Sequence, residues 1–124
     1  MRIGIAIDID PNKYKEIFPE NTWQILSRNC NENAAPSVNT LILSYLKAGH
    51  YVRVFTLAKD NFSIATENLN IIGIKQYNKY PIKYLWGIFY DGESLRRAIS
   101  AHLKDLDVLH AHWTYSYAYG SSFF

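Results

Sequence analysis

The stretch Ser37-Val38-Asn39-Thr40-Leu41-Ile42-Leu43-Ser44-Tyr45-Leu46-Lys47-Ala48-Gly49-His50-Tyr51-Val52-Arg53-Val54-Phe55-Thr56-Leu57 decides the fold class. Val38, Leu41, Ile42, Tyr45 and Leu46 recur at i, i+3, i+4, i+7 and i+8, the spacing that lines one face of a helix. Ser37, just after Pro36, offers a capping hydroxyl, and Gly49 stops the helix. Tyr51 to Leu57 then reads as a strand rich in β-branched and aromatic residues. One helix feeding one strand through a glycine is the repeating step of an α/β domain.

The same alternation extends in both directions. Ile3 to Ile7 is a near-continuous apolar run, as expected of a strand covered on both faces. Leu69 to Ile74 is a third strand. Pro81 to Tyr90 reads as a short helix with Ile82, Leu85, Trp86 and Phe89 on one face. Asp91 then caps a second helix, whose Leu95, Ala98, Ile99, His102, Leu103 and Leu106 form a stripe. Val108 to Ala111 is a fourth strand, and Tyr115 to Gly120 begins another helix. The polar connection from Asp8 to Pro36 holds apolar islands at Ile17-Phe18 and Trp23 to Leu26. A structureless loop of that length is uncommon, so the segment is functional, partly helical or mobile. These elements predict a Rossmann-like, doubly wound α/β domain with a mainly parallel sheet, a single domain over residues 1–124.

Composition narrows the function classes. At 48% apolar and 19% charged residues the chain is globular rather than disordered. A net charge of +2 gives no electrostatic footprint for nucleic acid. One cysteine, Cys30, excludes an internal disulfide framework and fits a reducing compartment, and Asp8 interrupts the apolar N-terminus before a signal-peptide core can form. A cytoplasmic location is the resulting expectation. The high aromatic content concentrates in Tyr77 to Tyr90, where tyrosines alternate with lysines. That segment reads either as a helix with half-exposed tyrosines or as a peripheral contact for membrane, lipid-linked acceptor or sugar.

Chemistry-bearing residues are few. Asp107-Val108-Leu109-His110-Ala111-His112-Trp113 ends a strand in two histidines and a tryptophan, and ligands of open α/β sheets bind beyond the carboxyl ends of the strands. His112 reads as a ligand contact or as a packed residue. Ala34-Ala35-Pro36-Ser37 occupies the first strand–helix connection without the Gly-x-Gly-x-x-Gly of dinucleotide sites. Asp8-Ile9-Asp10 has the spacing of a metal-binding Asp-x-Asp, but its place at the end of the first strand favours solvated carboxylates that cap or turn, and no metal is expected. His102 lies on a helix stripe as a packed residue, and His50 sits at a helix end where a cation suits the dipole. Arg53, Arg96 and Arg97 can bind phosphate or lie on solvated faces.

Three segments in order resemble the N-terminal domain of family 4 glycosyltransferases, retaining enzymes of the two-domain GT-B fold. They are Arg2-Ile3-Gly4-Ile5-Ala6, then Pro36 to Thr56 with its Gly49-His50 pair, then Asp107 to Trp113 with its Asp-x-x-His-x-His pattern. The resemblance implies sugar transfer from a nucleotide-sugar donor to a glycan or lipid-linked acceptor, without a cofactor. It implies that His112 lines the interdomain cleft as the catalytic-side histidine, flanked by His110 and Trp113. It also implies that Ala35, Pro36 and Ser37 face the donor phosphates. The frequent glycine pair of the family's first loop is absent, and the donor-binding domain with its paired glutamates does not occur in these 124 residues. The chain alone is therefore expected to be inactive, working with a missing C-terminal domain or pairing as a homodimer through the fourth-strand edge. A non-catalytic binding module and a flavodoxin-like nucleotide-binding domain are the competing readings.

Overall fold

The computed structural model describes residues 1–76, 84–111, 117, 120 and 121. The chain is α/β. Five strands, β1 (Arg2–Ala6), β2 (Tyr51–Ala58), β3 (Phe62–Ala65), β4 (Leu69–Lys75) and β5 (Val108–Ala111), form one sheet in the order β3-β4-β2-β1-β5. β4, β2, β1 and β5 run parallel, and only the edge strand β3 is antiparallel. Helices α1 (Glu20–Asn29), α2 (Pro36–Lys47) and α3 (Tyr84–His102) complete the framework.

Alternation along the strands builds two cores. Ile3, Ile5, Val52, Val54 and Ile71 pack with Leu26 of α1 and Ile42 of α2. Ala6 and Phe55 pack with Leu95 and Ile99 of α3. This is the side-chain period of two that a sheet covered on both faces requires. On the α3 side β1 carries Gly4 and Ala6, with Arg2 at its start. The Leu106 side chain fills the space over Gly4, where a β-carbon would stand 2.6 Å from Leu106 Cδ1.

The strands expected from sequence are present, and four points elsewhere complete or change the expectation. First, of the alternatives open for the polar segment before α2, the partly helical one holds: it contains a 3-10 turn (Pro11–Tyr14) and α1, tied together by the Trp23 indole N–H donating to Pro11 O at 2.8 Å. Second, β3 forms a hairpin with β4 in which Phe62 pairs with Gly73 and lays its ring where a β-carbon would be. Third, the two helices expected between Pro81 and Leu106 are one helix through Asp91, which is fully buried inside it rather than capping it. Residues 81–83 of that expectation lie outside the described residues. So does most of the expected Tyr115–Gly120 helix, of which positions 117 and 120 are helical. Fourth, Ser37 does not cap α2: the cap position is Ala35, no side chain caps the helix, and Pro36 opens it.

The other end of α2 follows the expectation. Gly49 takes φ +88°, His50 N–H donates to Tyr45 O and Gly49 N–H to Leu46 O, the two bonds of a Schellman stop. His50 packs edge-on against Tyr45, with ring centroids 6.1 Å apart. Among the described residues no helix is long and apolar enough to cross a membrane.

Because the Phe62 ring occupies the β-carbon position of Gly73, Gly73→Ala is expected to destabilise the chain by about 1–3 kcal/mol in urea unfolding. Pairing it with Phe62→Ala should recover part of that loss, whereas two independent, additive losses would show that the ring does not cover the glycine.

Candidate functional site

Beyond the carboxyl ends of the parallel strands the chain builds a crevice of about 180 Å³. Asp8 and Ile9 line it past β1, Leu57, Ala58 and Lys59 at the end of β2, and Gln76 past β4. The fourth side comes from Asn29, Cys30, Asn31 and Ala34, between α1 and α2. Small-molecule sites commonly span roughly 300–1,000 Å³, so this crevice suits one end of a ligand.

Its walls are held by Asn39, a residue absent from the candidates read from sequence. Asn39 is fully buried on α2, and its carboxamide Nδ2 donates to Asp8 O at 3.1 Å, Ala34 O at 2.9 Å and Ala35 O at 2.9 Å. Three carbonyls share two hydrogens, so at least one hydrogen is bifurcated. Its Oδ1 accepts from Asp10 N–H at 3.2 Å and from the Tyr14 hydroxyl at 2.9 Å. One side chain thus joins the end of β1, the 3-10 turn and the start of α2. The turn it secures is strained, with Asn33 at φ 60° and Ala35 at φ 39°. A left-handed alanine costs roughly 1–2 kcal/mol, and the bonds to Ala34 and Ala35 oppose it.

Tyr117 makes the second clasp. Its buried hydroxyl donates to Asp8 Oδ1 at 2.6 Å and accepts Leu57 N–H at 2.8 Å, so chain downstream of β5 is pinned across the ends of β1 and β2. Gly120 lies beside α3, where a β-carbon would stand 2.7 Å from Gly92 O.

The Asp-x-Asp pair is divided between these structures. Asp8 receives the Tyr117 hydroxyl, while Asp10 caps the 3-10 turn by accepting Asn12 N–H and is buried rather than solvated. No group of three or more metal-ligating side chains occurs among the described residues.

Burial controls the protonation of the rim. It pushes the Cys30 thiol up to about 12, with the Asp8 charge adding to the shift and Lys59 opposing it. Cys30 therefore closes α1 as a neutral buried thiol, not the polar-loop residue its neighbours suggest. Burial and then the Asp10 charge raise Tyr14, and burial and then Asp8 raise Tyr117.

The expected site residues fall into three groups. Ala35, Pro36 and Ser37 stand at the start of α2, next in sequence to the crevice residue Ala34 but not themselves among its lining, and the last two are exposed. His110 lies on β5 paired with Ile5 of β1, which sets Ala111 beside Ala6. His112 and Trp113 follow in sequence and lie outside the described residues. His102 is packed as expected, against Phe55 at 6.1 Å; burial and the Arg53 charge lower its pKa, against a raising effect of Asp105. Arg53 is not solvated. It binds Asn70 Oδ1 at 2.9 Å and the Tyr51 hydroxyl at 3.1 Å, and pairs with Asp105 at 3.5 Å, toward the amino end of the sheet. No family model, curated protein or solved structure matches the chain.

Two outcomes follow from the clasps. Tyr117→Phe leaves the Leu57 N–H without its acceptor and should cost about 1–3 kcal/mol, with faster amide exchange at Leu57; unchanged exchange there would contradict the clasp. Groups whose pKa rises on folding stabilise the fold fully below their unfolded values, and that stability is lost as the pH climbs toward the folded values. For Cys30 the loss begins near pH ~8.5 and for the tyrosines near ~10. Urea midpoints should therefore fall through the alkaline range, and a Cys30→Ala, Tyr14→Phe, Tyr117→Phe variant should lose most of that slope.

Proposed function

We propose that this chain is the acceptor-side domain of a retaining family 4 glycosyltransferase, half of a doubly wound GT-B pair. The observation that carries the reading is the parallel order β4-β2-β1-β5. In chain order these parallel strands run third, second, first, fourth, so the winding reverses beside β1, where open α/β sheets bind ligands. The three segments that resemble the family converge on that place. β1 ends there, α2 starts there, and β5 sets His110 and Ala111 beside Ile5 and Ala6 of β1, with His112 next in sequence.

The strained turn before α2 supports the same reading. The family's first loop frequently carries glycines. Here Ala35 takes the left-handed backbone that glycine adopts without cost, so the loop keeps a glycine-type path with an alanine in it. Strain of this kind persists where surrounding structure over-determines it, commonly at ligand sites.

On this reading the acceptor, a glycan or a lipid-linked glycan, lies against the crevice bounded by Asp8, Lys59 and Ala34. Ala35, Pro36 and Ser37 face the donor phosphates, His112 hydrogen-bonds the sugar in transfer, and His110 and Trp113 shape its surroundings. The nucleotide-sugar pocket belongs to a second α/β unit. Val108, 45% exposed on the edge strand β5, offers an edge for that unit or for a second copy. Residues 77–90, with their alternating tyrosines and lysines, are the proposed membrane-peripheral contact on the cytoplasmic face.

Calorimetric titration with glycan acceptors and nucleotide sugars, together with a transfer assay, tests this division. The chain should bind acceptor, His112→Ala should weaken transfer in the reconstituted two-domain pair, and these 124 residues alone should transfer nothing. Flavin binding, or sugar transfer by the isolated chain, would overturn the reading.

A further inference from the structure

A second cleft, of about 560 Å³, opens between the carboxyl end of β4 and α3. Tyr90, Ser94 and Arg97 face it from one stripe of α3 at i, i+4 and i+7, and Lys75 at the end of β4 and Gln76 just past it face it from the sheet. Gln76 also lines the crevice beyond β1 and β2, so the two spaces adjoin.

The charges of this cleft are unbalanced. Arg2, Arg28, Arg53 and Arg96 each donate a side-chain hydrogen bond, to Asp105 O, Gln24 O, Asn70 and Glu93 respectively. Arg97 makes no hydrogen bond or ion pair among the described residues, and neither does the Lys75 ammonium. The contrast with Arg96 is local, because the adjacent side chain grips Glu93 Oε2 through two nitrogens while Arg97 is left to the cleft. None of the described lining residues is acidic. Two like charges facing one open space repel each other, and an anion between them removes that cost.

We propose that this cleft binds the phosphate of a small phosphorylated ring compound. Arg97 supplies a planar fork of donors that matches phosphate oxygens, and Lys75 adds a point charge from the opposite wall. Gln76 contributes an amide at the rim. Tyr90, 52% exposed beside them, gives an aromatic surface on which the ring rests. The volume falls within the usual range for a small-molecule site. The inference does not depend on the sugar-transfer reading: its charged residues, Arg97 and Lys75, have no part there, although Gln76 borders the acceptor crevice as well and Tyr90 ends the 77–90 segment.

Titration calorimetry with inorganic phosphate, glucose phosphate and free glucose provides the test. Glucose phosphate should bind more tightly than inorganic phosphate, and free glucose should give no heat. Arg97→Gln and Lys75→Gln should each weaken glucose phosphate about tenfold, the loss of one charge-assisted contact. Arg28→Gln, on α1, should leave it unchanged. Both substituted side chains are exposed, so circular dichroism should report the native fold. The proposal is overturned if neither phosphate binds, if inorganic phosphate binds as tightly as glucose phosphate, or if both variants bind like the parent.

Discussion

The carboxamide of Asn39 is the constraint on which the candidate site depends. A buried amide with unpaired groups is costly, and this one has both of its atoms engaged. The five bonds reach Asp8, Asp10, Tyr14, Ala34 and Ala35, which belong to three separate segments of chain. Without them the left-handed Ala35 would lose what opposes its strain, and the crevice wall at Ala34 would lose its tie to β1. Tyr117 repeats the design on the other side of Asp8, with one hydroxyl joining β1 and β2. The two ends of the sheet thus differ in kind. Toward the amino end Arg2 and Arg53 pack on Tyr51; Arg53 pairs with the Asp105 carboxylate and the Arg2 guanidinium donates to Asp105 O, so both side chains are engaged within the protein. Beyond the carboxyl end, polar groups frame open space.

Much of this architecture was legible from residue order. The isoleucines of β1, the stripe of α2 and the glycine that ends it follow from periodicity and backbone freedom, which are local properties. The misreadings occurred where tertiary context decides. Phe62 to Ala65 is a short run that becomes a strand only by pairing with β4 and covering Gly73. Asp91 has the local appearance of a helix cap, yet it is buried within α3. Ser37 lost the cap position because Ala35 turns left-handed two residues earlier and Pro36 takes the first helical place.

The site was less legible than the fold. Asn39 did carry a signal: it lies three residues before Ile42 and seven before Leu46, in phase with the buried face of α2, where a polar residue must find partners. Nothing local reveals that those partners are Asp8 and Tyr14. Tyr117 gave even less, since its partners are 60 and 109 residues away. The exposure of Arg97 could be guessed from its helix face. Its lack of a carboxylate partner among the described residues could not, because Glu93 could have paired with either arginine and pairs with Arg96.

The central claim is that ligand recognition takes place at the carboxyl ends of the strands, in the space framed by Asn39 and Tyr117. Amide chemical-shift mapping with a mixture of glycans tests it most directly. The account predicts shifts concentrated at Asp8, Ile9, Ala34, Leu57 and Lys59. Shifts confined to Arg2, Tyr51 and Asp105 at the opposite end, or the absence of any shift, would contradict it.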